Sequence, residues 1–190
     1  MTDGPDAAGQ LPASDDHSTL MRAAEAAAAL QHRGNTGANW FFWVAGLSLV
    51  NTAIAHGGGD LHFVVGLAVT AIVDAIATLI GKDHPEVATL AMVAALVFSL
   101  FVTVIVVLFG WMSRKRWLWA FGIGMGLYLL DGVLYALLQD WMSAGFHAFA
   151  LYSMALGFNA YRKLNAFERA LRQAENGDES GDASASAAAI

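Results

Sequence analysis

The run VATLAMVAALVFSLFVTVIVVLFGWM, residues 87–112, contains no charged side chain. At about 1.5 Å per residue, this run would form a helix about 39 Å long. The hydrocarbon core of a bilayer is about 30 Å thick, so a helix of this length and composition is typical of a membrane-spanning segment. Because the run is longer than the core is thick, we expect its helix to tilt or to protrude.

Four further apolar segments flank this run, and short polar stretches separate them. The segments are 39–55, 61–81, 117–139 and 141–161. The polar stretches are 56–60, 82–86, 113–116 and the residues around 139–141. Each segment is long enough to cross hydrocarbon as a helix, although the first is short enough to be re-entrant or tilted instead. The sequence therefore predicts an all-α, polytopic transmembrane bundle of five spanning helices.

The composition excludes several classes of protein. Of 190 residues, 57% are hydrophobic and 14% are charged, and the mean hydropathy is +0.51, which few water-soluble domains tolerate. The absence of cysteine excludes disulfide frameworks, thiolate nucleophiles and cysteine-ligated metal sites. The net charge of −6 argues against nucleic acid as a partner.

The tryptophans support the predicted segment ends, because indole rings prefer the headgroup level of a bilayer. All six lie near an end of a segment: Trp40, Trp43, Trp111, Trp117, Trp119 and Trp141. We therefore expect the lipid bilayer to be the main partner of residues 39–161, the transmembrane bundle.

The remaining residues predict three flanking regions. Residues 1–38 form an acidic tail, in which 20–31 reads as a short Ala-rich helix with Ser18 as its N-cap and Gly34 as its terminator. Residues 162–177 carry apolar side chains at helical spacing and predict an amphipathic, cytoplasmic extension of the last helix. Residues 178–190 are small, acidic and low in complexity, and predict a disordered tail.

The distribution of lysine and arginine over a five-span bundle predicts its orientation. One side would carry seven of these residues: Arg114, Lys115, Arg116, Arg162, Lys163, Arg169 and Arg172. The other would carry three: Arg22, Arg33 and Lys82. The positive-inside rule then predicts a cytoplasmic C-terminus and an external N-terminal tail, and we expect the plasma (inner) membrane of a bacterium.

Three titratable side chains, Asp74, Asp131 and His147, lie deep within predicted spans. Helices 2 and 4 would end, and helix 5 begin, on one face, and all three side chains would lie about 9 to 12 Å from it. Two carboxyls close together in low dielectric share a proton, bind a cation or take a charge from histidine. This level predicts a proton or cation relay. The alternative is that each Asp hydrogen-bonds separately to a neighbouring helix and only fastens the bundle.

A second polar group is predicted at the opposite face. Its members are Asn51, His56, Asp60, His62 and Asn159. Their spacing matches no zinc signature, and the three intervening glycines at 57–59 indicate a turn between helices. We therefore predict no metal ion and no cofactor.

The predicted relay residues Asp74, Asp131 and His147 favour a small proton- or cation-linked transporter or channel-like protein. About 120 membrane residues leave little room for an enclosed pathway, so a homo-oligomer or a membrane-protein partner is expected. The alternative function is an accessory or scaffold subunit without transport or catalytic activity of its own. No nucleophile–base set was found, so an enzyme ranks third.

Overall fold

A computed structural model describes residues 13–56 and 66–188, with side-chain surroundings for 17–54, 66–174 and 176. Over these ranges the chain forms helices and turns and no strand, which confirms the all-α prediction. The helices are α1 (Ala13–His56), α2 (Ala68–Asp83), α3 (Ala88–Arg114), α4 (Leu118–Leu137) and α5 (Trp141–Ala188). A single 3-10 turn, Pro85–Val87, precedes α3.

The predicted breaks at 82–86, 113–116 and 139–141 are confirmed as the turns that separate α2, α3, α4 and α5. The last two turns have the same geometry. Arg116 (φ 63°) and Gln139 (φ 60°) adopt left-handed backbone conformations just past the ends of α3 and α4. The Arg116 N–H donates to the Ser113 carbonyl, and the Trp117 N–H donates to the Met112 carbonyl. This pair of bonds is a Schellman motif, which satisfies the last carbonyls of the helix.

The prediction that Gly34 ends a short helix is wrong, because α1 runs unbroken from Ala13 to His56. Gly34 instead lies directly against the ring of Tyr161 on α5. A methyl group at Gly37 would lie 2.6 Å from the Cα of Gly157, so the two backbones are in contact. Both glycines allow close helix packing, and small residues serve this purpose between helices in lipid.

Helices α1 and α5 are antiparallel. The Tyr161 hydroxyl donates to Asn35 Oδ1 at 2.7 Å, whereas Trp40 packs edge-on against Phe149 with ring centroids 5.5 Å apart. Residues later in α1 therefore contact residues earlier in α5. In a five-span bundle the first and fifth helices would be parallel, so this direction contradicts that topology.

The reversal is explained by α2, which runs in the same direction as α1. The Leu67 N–H donates to Ser48 Oγ at 2.9 Å, and the Thr52 hydroxyl donates to Asp74 Oδ2 at 3.3 Å. Leu67 and Ala68 are 4% and 0% exposed, so α2 begins inside the bundle and not at its end. The predicted second span, 61–81, is thus a shorter helix that starts at Ala68, and residues 57–65 lie outside the described part of the chain.

The side chains of α3 are distributed opposite to those of a soluble protein. Its buried residues are small or hydroxylated: Ala95, Ser99, Thr103, Gly110 and Ser113. Its large apolar side chains face outward, and Leu90 and Phe101 are 70% and 62% exposed. Among the described residues, Pro85–Arg114 and Leu118–Leu137 are long and apolar enough to cross a membrane, and only 17% and 33% of their most apolar stretches are buried. Two candidate spans are therefore present, and five are not confirmed.

The antiparallel arrangement gathers the basic residues at one end of the bundle. The N-terminal part of α1, the α3–α4 turn and the C-terminal part of α5 all lie there. Nine of the ten Lys and Arg residues belong to these parts: Arg22, Arg33, Arg114, Lys115, Arg116, Arg162, Lys163, Arg169 and Arg172. Lys82, at the end of α2, is the tenth. The prediction that Arg22 and Arg33 lie at the opposite end from Arg114 is wrong. We call the end with nine basic residues the basic end.

An aromatic core joins α1, α4 and α5 towards the basic end. Phe121 on α4 is fully buried and makes edge-on contacts with Phe41, Phe158 and Tyr161, with centroids 5.6 to 6.2 Å apart. Beyond Tyr161, α5 continues to Ala188, where the sequence predicted disorder from residue 178. The core fixes α4 against α5 and so sets the relative position of Asp131 on α4 and His147 on α5, which lie farther from the basic end.

Candidate functional site

The Asp131 carboxylate, on α4, holds the first turn of α2. Its Oδ2 accepts a hydrogen bond from the Ala68 N–H at 2.9 Å, and its Oδ1 accepts one from the Val69 N–H at 3.0 Å. The first amides of a helix have no partner within the helix and carry partial positive charge, so a carboxylate there is favourable. Asp131 is 7% exposed, so water does not compete strongly for these bonds. A side chain from α4 therefore caps a helix that begins inside the bundle.

His147, on α5, contacts the same carboxylate. Its Nε2 lies 3.0 Å from Asp131 Oδ2, and its Nδ1 lies 2.9 Å from the carbonyl oxygen of Ser143. Both partners are acceptors when the carboxyl is ionised, and neutral imidazole carries only one N–H. The arrangement is therefore complete only when one additional proton is present, either as an imidazolium beside a carboxylate or as a carboxylic acid beside a neutral ring.

Two tyrosines of α4 enclose the imidazole. Tyr128 stacks on it with ring centroids 4.4 Å apart and an angle of 20°, and Tyr135 lies 5.0 Å away at 52°. The helices can approach this closely because residue 132 is glycine: a methyl group there would lie 2.9 Å from the Cβ of His147. His147 is 1% exposed as a result. The structure thus places the rings of both tyrosines against His147.

Asp74 lies apart from this pair. Its carboxylate accepts a hydrogen bond from the Thr52 hydroxyl at 3.3 Å. Six residues of α2 separate Asp74 from Ala68, the residue that Asp131 contacts, which corresponds to about 9 Å along the helix. Of the three residues predicted to lie at one depth, Asp131 and His147 are in contact, whereas Asp74 lies farther along α2. Asp74 is 9% exposed, and Thr70, in the first turn of the same helix, is buried.

The second predicted polar group does not assemble among the described residues. Asn51 contacts Gly66, next to the start of α2, whereas Asn159 is exposed and lies two residues beyond the Gly37–Gly157 contact. Asn51 is fourteen residues beyond Gly37 on α1, in the direction opposite to Asn159, so about 24 Å along the helix axes separates the two asparagines. Their predicted position on one face is wrong, because it assumed that α1 and α5 are parallel.

The other members of that group are His56, Asp60 and His62. Asp60 and His62 lie outside the described residues, and so does the side chain of His56. Within the described ranges, no three His, Asp or Glu side chains come close enough together to hold a metal ion.

The essential feature that sequence reasoning missed is a pair of main-chain amides. The N–H groups of Ala68 and Val69 are half of the Asp131 site, and an alanine and a valine give no signal of this role. The available signal was indirect: a buried acid requires donors, and the glycine run at 57–59 predicts a turn shortly before residue 68.

Comparison with known proteins adds no relative from which a role could be transferred. No family model matches this chain, and no curated protein and no solved structure matches it.

Proposed function

We propose that this chain is a multi-pass protein of a bacterial plasma membrane with its basic end in the cytoplasm. Outward-facing apolar side chains on α3 and α4 support this proposal, because soluble proteins rarely expose large apolar patches. The nine-to-one distribution of basic residues supports the orientation through the positive-inside rule. Both termini would then be cytoplasmic.

Within this membrane protein, the function that the geometry supports best is proton-linked transport or channel-like conduction. The observation that carries it is the position of His147 between two acceptors, Asp131 Oδ2 and the Ser143 carbonyl. Ionisable groups within spanning segments are costly and often belong to proton relays. A proton is favoured over a metal cation, because the two Asp131 oxygens already make three hydrogen bonds within the chain.

Loss of the shared proton would act on α2. Without it, the neutral imidazole could donate to only one of its two partners, and a lone pair would face the other oxygen, so His147 would lose its hydrogen bond to either Asp131 or Ser143. Because Asp131 also caps Ala68 and Val69, a movement of its carboxylate would release the first turn of α2. Helices that begin within the membrane and end at a bound charge are a recurrent device in transporters. In this proposal α2 is the moving element, and Asp74 is the next polar position along it.

The test is proton flux into liposomes that contain the purified protein and a trapped pH-sensitive dye. Asp131→Asn keeps the shape of the side chain and removes its ability to hold the proton, so we expect its flux to fall at least about tenfold. Asp74→Asn should lower the flux as well, since it removes the second carboxyl of the route.

Asp83→Asn is the matched control. Asp83 is exposed at the end of α2, so its variant makes the same chemical change outside the Asp131–His147 site and should conduct like the wild type. Each variant must elute and melt as a folded protein before its flux is compared. Wild-type flux in a folded Asp131→Asn variant would refute the proton-binding role.

A scaffold subunit is the second candidate, and one observation favours it. The Asp131 carboxylate is fully hydrogen-bonded within the chain, as is expected of an acid that only fastens α2 to α4 and α5. This function predicts no proton flux from the wild type, together with a large loss of stability in Asp131→Asn.

A further inference from the structure

The basic end contains a cleft between the α3–α4 turn and the part of α5 beyond the bundle. It has a volume of about 370 Å³. Its charged lining comprises four basic side chains and one acid: Lys115, Arg116, Arg169, Arg172 and Glu168. A second cleft of about 400 Å³ adjoins it through Arg116, Leu118 and Asn165 and is walled by Trp117 and Trp119. The combined surface therefore carries an excess of positive charge beside exposed indole rings.

One ion pair lies within this cleft. The Arg116 guanidinium donates to both carboxylate oxygens of Glu168, at 2.6 and 3.0 Å. This contact holds the pKa of Glu168 below its ordinary value and raises the pKa of Arg116. The left-handed turn at Arg116 and the pair with Glu168 together tie α5 to the α3–α4 turn. Arg116 is neutralised by this pair, and Lys115, Arg169 and Arg172 supply the excess charge.

An apolar track leads from the cleft along the outer surface of α4. Trp119, Ile123 and Leu127 follow one another at four-residue spacing and are 59%, 50% and 50% exposed. Trp117 and Trp119 stack at the start of the track, with ring centroids 6.2 Å apart. The surface thus places basic side chains, indole rings and aliphatic side chains in the order in which a bilayer presents phosphate, glycerol backbone and acyl chain.

We propose that this cleft binds the phosphate headgroup of an anionic phospholipid, with an acyl chain lying along Trp119, Ile123 and Leu127. The proposal rests on the membrane location given above and is independent of the proton-linked function. A soluble phosphate compound would use the basic side chains but would leave the apolar track uncovered. A zwitterionic lipid would cover the track but would bring its own positive charge to Lys115, Arg169 and Arg172.

Native mass spectrometry of the full chain in a neutral detergent tests this assignment, with phosphatidylglycerol, phosphatidylcholine and inorganic phosphate as separate probes. The wild type should bind phosphatidylglycerol at least about tenfold more tightly than phosphatidylcholine, and inorganic phosphate should not displace it. The double variant Arg169→Gln/Arg172→Gln should lose about tenfold in phosphatidylglycerol affinity, because it removes two of the cationic groups. Lys82→Gln, at the opposite end, is the matched control and should bind like the wild type.

A second variant gives the opposite expected sign. Glu168→Gln removes the acid from the cleft and frees Arg116, so it should bind phosphatidylglycerol several-fold more tightly than the wild type, which a misfolded protein would not do. Equal affinity for the two lipids, displacement by inorganic phosphate, or an unchanged affinity in both variants would overturn the proposal.

A protein that does not bind membranes would give a different result from a membrane protein that lacks the lipid site. Flotation with phosphatidylcholine vesicles distinguishes the two: a protein that floats with them but does not discriminate between lipids lacks the headgroup site. A protein that remains in the buffer with every vesicle is not a membrane protein, and both proposals then fall.

Discussion

Gly132 allows α4 and α5 to approach closely enough for Asp131 to reach His147. A methyl group at residue 132 would lie 2.9 Å from the Cβ and 3.2 Å from the Cγ of His147, closer than carbon atoms pack. We expect Gly132→Ala to lower the free energy of unfolding by about 1–3 kcal/mol, since the helices must separate or the imidazole must leave its rotamer. Thermal or chemical unfolding in detergent measures this change.

Gly126 provides the matched control on the same helix. No atom lies within 4 Å of a methyl group built there, so Gly126→Ala should be neutral or stabilise the helix by up to about 1 kcal/mol. Equal effects of the two substitutions would contradict the close approach at Gly132.

At the residue scale, the sequence predicted two side chains that the structure brings into contact, Asp131 and His147, but not the other members of the site. Asp131 and His147 could be identified because an ionisable side chain within an apolar segment is costly and so requires a partner. Their contact was not predictable, because depth along a helix says nothing of the direction in which a side chain points. The amides of Ala68 and Val69 were not predictable at all, since every residue except proline has one.

At the scale of the element, the Arg116–Glu168 pair anchors the part of α5 beyond the bundle. Its effect on stability should depend on pH, because this pair depresses the pKa of Glu168 below the ordinary value of 4.5. A depressed pKa stabilises the folded state above the ordinary value, and this stabilisation is lost as the pH falls through the lowered value. We therefore expect Glu168→Gln to lower the melting temperature at pH 7 and to have no effect once the carboxyl of the wild type is protonated.

Two observations would check this pH dependence. The side chains of both partners are about one-third exposed, so the difference in melting temperature should be small and should shrink in high salt. Glu25→Gln, an exposed position on α1, removes the same charge and should leave the melting temperature unchanged at every pH. A difference that persists at low pH would mean that Glu168 acts through packing and not through its charge.

The boundaries of α3, α4 and the start of α5 could be predicted because polar residues interrupt the apolar sequence where the chain turns. The continuity of α1 could not be predicted. Gly34 and Gly37 have the composition of a helix end, and only the presence of α5 beside them shows that they serve packing. The start of α2 inside the bundle was equally inaccessible, since hydropathy does not distinguish an apolar segment that crosses a membrane from one that enters and turns back.

At the scale of the whole molecule, the topology can be tested directly because the chain contains no cysteine. Single cysteines at the exposed residues Ala24, Ala170 and Lys82 report on α1, α5 and the end of α2. In vesicles of uniform orientation, we expect a membrane-impermeant thiol reagent to label Ala24→Cys and Ala170→Cys from one side and Lys82→Cys from the other. Labelling of Ala24→Cys and Lys82→Cys from the same side would contradict this topology and would support five spans that cross the membrane in alternating directions.

The sequence predicted a helical protein with an uneven distribution of basic residues. The direction of α1 relative to α5 changes which basic residues lie at the same end. A count of five segments places the termini on opposite sides, whereas one segment that turns back places them on the same side. Arg22 and Arg33 then join the other basic residues, and the asymmetry becomes nine to one. The physical reason is that the number of apolar segments gives the sides of the two termini only when every segment crosses the membrane.

The capping of α2 by Asp131 also constrains the order in which the chain can assemble during synthesis. The carboxylate lies 63 residues after the amide of Ala68 that it satisfies. A ribosome adds about 5–20 residues per second, so roughly 3 to 13 seconds pass between the appearance of the two groups. Unsatisfied amides are excluded from hydrocarbon, so in the membrane protein proposed above the first turn of α2 would wait at the membrane surface until α4 has emerged. A nascent chain arrested before α4 would therefore hold α2 outside the membrane, still open to a protease.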